Sequence, residues 1–204
     1  MKKMPIILIC LIFGILLRST AADNDKENLR GQIGLTFSAF GNNDIVNFQP
    51  PIGGPGYRGD GFITFGISYL HTLSRTFDFE TGIEYSEYQI IVEPNLPLIY
   101  GGTVSHSKFA LITIPAAIRL NFLKYFFLNG GLFLGIDMSN SSPIDRQNGL
   151  GANLGLGLKY SFRSISVFVN PYSKIHSLLP FTPAVHHQRL IESGFKFGVM
   201  FRMN

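Results

Sequence analysis

Along this chain, apolar and polar residues change places at every second position, in eight separate blocks. In the first, Gly31 to Phe40, the apolar Ile33, Leu35, Phe37 and Ala39 alternate with Gln32, Gly34, Thr36 and Ser38. A period of two belongs to a β-strand, whose successive side chains point to opposite faces. The same pattern predicts strands over Gly61–Leu73, Phe77–Val92, Phe109–Leu123, Tyr125–Ile136, Gly149–Tyr160, Ser164–Tyr172 and Ile191–Met203. The seventh is the weakest, with only Ile165, Val167 and Val169 on its apolar face.

The connections alternate in length. About twenty residues, Gly41 to Asp60, follow the first strand, and only "SRT" follows the second. "EPNLPLIYGGTVSHS" follows the third, a residue or two around Lys124 the fourth, "DMSNSSPIDRQ" the fifth and "SFR" the sixth. "SKIHSLLPFTPAVHHQR" follows the seventh. An up-and-down meander with one plain rim and one elaborate rim has this rhythm. Bacterial outer-membrane barrels show it, with short periplasmic turns and longer extracellular loops.

One block invites a different reading. "GLGANLGLGLKY", Gly149 to Tyr160, contains G-x-G spacing. A dinucleotide fingerprint needs a third glycine three residues on and a helix after it. Position 154 is Leu and no helical period follows. The glycines instead share one strand face with Asn153 and Lys159, opposite Leu150, Ala152, Leu154, Leu156, Leu158 and Tyr160.

Composition decides which solvent the apolar face meets. Charged residues make up 15% of the 204, against about 25% in typical soluble proteins. Beyond residue 20 no apolar run approaches the roughly 20 residues of a spanning helix. The polar face of the strands carries Glu80, Glu84, Arg119, Lys159, Lys196 and Arg202, which can pair inside a narrow barrel. Eight strands enclose an interior just wide enough for side chains, which suits a face of glycines and small polar residues. Aromatic residues sit on the apolar face at the short-turn ends: Tyr69, Phe77, Phe122, Phe126, Tyr160 and Phe201. They form the girdle of a membrane barrel. The fold expected is therefore all-β: an eight-stranded antiparallel up-and-down transmembrane β-barrel, with outer-membrane lipid around it. A soluble lipocalin-like barrel, with the apolar face inward, is the alternative.

The first 22 residues are expected to be a secretory signal peptide, with Lys2 and Lys3 before an apolar stretch from Ile6 to Leu17 and a small-residue cleavage site at Thr20-Ala21-Ala22. Residues 23–204 form the barrel domain. Without Lys2, Lys3 and Arg18, the excess of base over acid falls from +4 to +1, which excludes a nucleic-acid partner. The single Cys, Cys10, leaves with the leader, so thiol chemistry and disulfides are not expected.

"LITIPAAIRLNF" (Leu111–Phe122), the glycine-rich fifth and sixth strands and the final "GFKFGVMFRMN" resemble the outer-membrane β-barrel family of Bacteroidota often labelled PorT-like. The resemblance covers about the whole mature chain. It implies an outer-membrane location and, for a few members, support of protein secretion. Lys196, Gly198, Phe201 and Met203 are similar to the signal read by the barrel assembly machinery, although the chain ends in Asn204 instead of Phe.

Candidate chemistry is sparse. His106, His176, His186 and His187 fall in predicted loops, and His186-His187 has no third metal ligand at useful spacing. Ser105-His106-Ser107 is the nearest approach to a hydrolase pair. Glu80 and Glu84 are spaced as paired acids, but Arg119 and Lys196 favour a structural salt network. Arg58-Gly59-Asp60 reads as polar loop. No catalytic, cofactor or metal residue is assigned, and no enzyme activity is expected. The apolar loop runs "NLPLIYGG" and "LLPFTP" are expected to cap the barrel mouth or dock an envelope partner. The expected function is a non-enzymatic outer-membrane barrel with a structural, interaction or secretion-support role. The alternatives are a narrow transport or ligand-binding barrel and, further off, a lipid-modifying enzyme.

Overall fold

The computed structural model describes residues 31–48, 55–94, 103–139, 142–182 and 187–203. The expected leader and the loop segment "NLPLIYGG" lie outside the described residues. Eight strands run β1 (Gln32–Asn47), β2 (Gly56–Thr72), β3 (Phe77–Glu93), β4 (Ser105–Phe122), β5 (Phe126–Asp137), β6 (Gly149–Phe162), β7 (Ile165–Pro180) and β8 (Gln188–Arg202). Each pairs antiparallel with its sequence neighbour, and β8 closes on β1. Partners traced from Gln32 through Leu70, Glu80, Ala117, Gly131, Asn153, Lys174 and Glu192 return to β1 at Asn43. The hydrogen-bonded line therefore climbs as it circles, which is the stagger of a closed barrel with tilted strands.

Every predicted strand is present, but five extend further toward the long-loop end. Gly41–Asp60, expected as loop, is largely strand: β1 runs to Asn47 and β2 starts at Gly56. Arg58 and Asp60 thus lie on β2. Likewise β4 starts at Ser105, β7 continues to Pro180 and β8 starts at Gln188. Irregularities hid these extensions. Between Ala39 and Asn42 the register with β8 shifts, and Phe40 takes a left-handed φ of 58° and turns outward. A matching shift lies between Gly59 and Phe62. There Asn43 accepts from the Gly61 N–H (2.8 Å) and donates to the Gln89 carbonyl (3.0 Å). Gly61 has φ 107°, open to glycine and strained for other residues. Such bulges break a two-residue alternation without ending the strand.

The three tight connections have hairpin geometry at one end of the barrel, with Leu123 and Arg163 at left-handed φ. On β4, Pro115 has no N–H to offer, and the ladder with β3 skips from Thr81–Ala116 to Glu84–Thr113.

Candidate functional site: the filled lumen and its collar

Strand parity places each predicted face as expected. Ile33, Leu35, Ile63, Phe65, Ile67, Ile83, Tyr85, Leu132, Leu154, Leu156, Phe195 and Phe197 point outward and are exposed. Thr36, Ser38, Thr64, Ser68, Glu80, Glu84, Thr113, Arg119, Asn129, Asn170 and Lys196 are buried inside. A molecule with its grease outside and its charge inside is turned out for a hydrocarbon solvent. The aromatic ring at the short-turn end is in place. Phe77, Phe126, Tyr160 and Phe201 are exposed, Phe122 stacks near Phe126 (6.0 Å) and Tyr125 near Tyr160 (6.3 Å).

The interior has three layers. Nearest the short turns, Leu70, Phe127, Phe168 and Met200 form an apolar floor. The Arg119 guanidinium lies 4.2 Å from the Phe127 ring centre and 4.9 Å from that of Phe168. The glycines of the lumen face make room for such rings. Phe127 sits directly across from Gly157, Phe133 from Gly151 and Phe168 from Gly198. In each pair a Cβ on the glycine would collide with the ring.

The middle layer is ionic. Arg119 donates to Glu80 at 2.9 and 3.2 Å, and Asn129 adds a third bond at 3.3 Å. Glu84 accepts from Lys174 at 2.7 Å, Lys196 at 2.6 Å and Thr113 at 3.3 Å. Glu192 accepts from the hydroxyls of Tyr88 and Tyr172, and His176 lies 3.4 Å away. Lys174 is also 3.9 Å from Glu192, so it joins the two carboxylates. With His176 counted as neutral, the three carboxylates match the three cations Arg119, Lys174 and Lys196. The salt network expected from Glu80, Glu84, Arg119 and Lys196 is confirmed, with Glu80 and Glu84 held by different cations. Lys159 bonds Asn121 at 2.7 Å nearer the short turns, and Arg202 is exposed at that end.

Lys174, Glu192, Tyr88 and Tyr172 carry no signal of their own that singles them out in the sequence. His176, expected in a loop, is wholly buried on β7 because the strand continues past its expected end. His187 is a second correction. It is buried, not solvated, and faces Asp145 at 4.0 Å. His106 is on β4 and meets Asp60 at 3.5 Å, so an acid does stand beside it. The neighbouring serines do not complete a triad, because adjacent strand residues point to opposite faces. Among the described residues no group of three His, Cys, Asp or Glu could hold a metal ion.

The third layer closes the long-loop mouth. Tyr88, Ile90, Phe109, Leu111 and Leu190 pack with Ile144, which comes from the β5–β6 connection. That connection folds inward as a strap. Gln147 donates to the carbonyls of Asp145 (2.7 Å) and Gln188 (2.8 Å) and accepts from the Leu190 N–H (3.1 Å). Asp145 accepts from the Gln188 N–H at 2.9 Å. "LLPFTP" does not cap the mouth: Leu178, Leu179 and Phe181 are exposed, and the capping residue is Ile144. At the short-turn mouth a cleft of about 20 Å³ lies among Gln32, Asp78, Arg119 and Lys159, room for roughly one water.

Outside, the apolar belt gives way to polar residues toward the long-loop end. Asn42, Asp44, Arg58, Asp60, Gln89, His106 and Lys108 are exposed on β1–β4. Lys108 pairs with Glu87 at 3.2 Å. Strands of 12 to 18 residues exceed the roughly 9–11 that cross a bilayer. The surplus stands above the belt as a polar collar.

No protein-family model matches the chain, and no curated protein matches it. Solved structures do. The outer membrane protein AlkL, determined in lipid bilayers, is similar with a TM-score of 0.56 over 90% of this chain and 94% of that one, at 11% identity. Ail of Yersinia pestis (TM-score 0.42, 12% identity, 85% of this chain and 99% of that one) and OprG of Pseudomonas aeruginosa (0.41, 12%, 85% and 95%) are more distant. At 11% identity the likeness to AlkL is one of fold. Together with the lipid-facing belt and the inward charges, it makes this chain an integral outer-membrane β-barrel with transmembrane strands.

Proposed function

We propose that the chain is a non-enzymatic outer-membrane barrel that works through its extracellular collar and loops, as a structural or interaction component of the cell envelope. The observation that carries this is the lumen: three layers of side chains fill it from Phe127 to Ile144, and its charges cancel. An interior so occupied supports neither conduction nor substrate entry, which leaves the outside as the working surface. The PorT-like resemblance narrows the role to support of protein secretion, with an envelope protein docked on the long loops. Assembly would go through the barrel assembly machinery, read from Phe201 and Met203, both exposed on the outward face. The test has two arms. Purified protein in planar bilayers is expected to show no steady conductance. A photo-crosslinker at His106 or Lys108 in intact cells is expected to give one discrete protein adduct. Steady single-channel currents, or no adduct from any collar position, would overturn the proposal.

One observation favours the transport or ligand-binding reading: the stopper is a connection, not the barrel wall. Removing residues 139–146 is expected to leave the membrane current unchanged, because the Glu84 and Glu192 networks still block the lumen. A current that appears on that deletion would favour transport.

A further inference from the structure

The apolar belt does not end at one height around the barrel. On β1–β4 it stops below Asp44, Asp60 and Gln89, all exposed and polar. On β5 it continues upward without a polar break through Leu132, Ile136 and Met138, and on β7 it resumes above Ser173 through Leu178, Leu179 and Phe181. Leu179 is 64% exposed, Phe181 62% and Met138 55%. The pairing spiral puts these residues level with the polar collar opposite. Pro180 lies on the line that starts at Thr36 and runs through Gly66, Glu84, Thr113, Gly135 and Gly149. After six steps of that climb, Leu179 stands at the height of Asp44 and Asp60. The wall is also lower here: β5 ends at Asp137, beside Leu111, while β4 continues on to Ser105.

We infer that the low β5–β7 rim is itself lipid-facing, so that the barrel sits with Leu179, Phe181 and Met138 among the acyl chains of the outer leaflet while the β1–β4 wall stands clear in water. The occupant is lipid because the patch is continuous with the belt that lipid already covers. Ser173 and Ser193 lie on the outer face just below, but their hydroxyls bond each other at 2.9 Å and need no water. Large exposed apolar side chains held in water at this density would be an aggregation hazard; in acyl chains they are at home.

The test uses the full chain reconstituted in phosphatidylcholine vesicles, with a nitroxide on single cysteines placed by Leu179→Cys, Phe181→Cys and, on the high wall, Gln89→Cys. Cys10, the only native cysteine, is in the expected leader. Heat-modifiable migration on gels first confirms that each variant is folded. Collisions with lipid-soluble oxygen and with a water-soluble nickel chelate are then compared. The expected result is a reversal between the two sides: oxygen prevails at 179 and 181, nickel at 89. Nickel access at 179 and 181 equal to that at 89 would place the rim in water and overturn the inference. Protection of 179 and 181 from both reagents would overturn it too, and would mean that protein covers the patch. The inference needs only a transmembrane barrel, so neither failure bears on how the collar is used.

Discussion

Asn153 and Leu154 are neighbours on β6 that meet different solvents. Leu154 is 61% exposed on the apolar belt, and Asn153 turns inward. Hydrocarbon cannot solvate a charge, and a lipid-facing Arg near the midplane costs about 2–4 kcal/mol. Leu154→Arg is therefore expected to destabilise the fold in bilayers by that amount, with Asn153→Ser near neutral, read from urea titrations of the folded gel band. Equal costs at the two positions would deny the parity. Gly157 illustrates a second constraint at this scale. A methyl there meets the Phe127 ring, whose centre lies 4.2 Å from the Arg119 guanidinium. Overpacking of a filled interior costs about 1–3 kcal/mol. Gly157→Ala should lose that much in the same titration, and Phe127→Leu in the same chain should recover part of it. If Phe127→Leu makes the loss larger, the ring is not the obstacle.

Elements were legible from the sequence wherever both faces kept their alternation. Strands β3, β5 and β6 lie within two residues of their expected ends. The signal failed where the outward face lost its run of aliphatic residues. On β7 the inward series Phe168, Asn170, Tyr172, Lys174 and His176 continues unbroken. Outward, Pro171 and Ser173 replace aliphatic residues, so the contrast between faces vanishes and the strand looks finished. Glu192 lies within the expected eighth strand, on the face of Lys196, but Lys174 and His176 lie past the expected end of β7 and were lost with it. The parity rule alone, carried on from Asn170, was the signal that could have found them. The β5–β6 strap had no such signal: "SPIDRQ" has no period, and its hydrogen bonds depend on β8. Gln147→Ala tests the strap as an element. It strips partners from the Leu190 N–H and the Gln188 carbonyl, at about 1–3 kcal/mol for buried groups left unpaired. Protease is expected to cut 138–148 faster, while the urea midpoint of the barrel stays put. A midpoint that falls in step would mean that strap and barrel unfold as one unit.

At the scale of the whole molecule, one carboxylate ties distant strands together. Glu84 on β3 reaches Lys174 on β7 and Lys196 on β8 across the lumen. Glu84→Gln leaves two buried ammonium groups facing each other with half their compensation gone. Removing one partner of a buried ion pair costs about 3–5 kcal/mol, and that loss is the expected result. Adding Lys174→Met should restore much of it, because the charge excess then disappears. If the double variant is no better than Glu84→Gln alone, the pairing does not set the stability of the layer.

The strap also keeps time. Its hydrogen-bond partners, Gln188 and Leu190, begin the final strand, and Ile144 rests against residues of β3 and β4. A chain emerging strand by strand offers Ile144 only part of its seat, on β3 and β4, until β8 brings Leu190 and the strap's hydrogen-bond partners. The strap is therefore a clock for completion: it stays open during growth and shuts only after the ring does. Contacts this far apart in sequence form late. During refolding into vesicles, the compact gel band should appear before 138–148 becomes resistant to a protease pulse. Resistance that came first would mean that the strap seats on an open sheet, and that closure follows it.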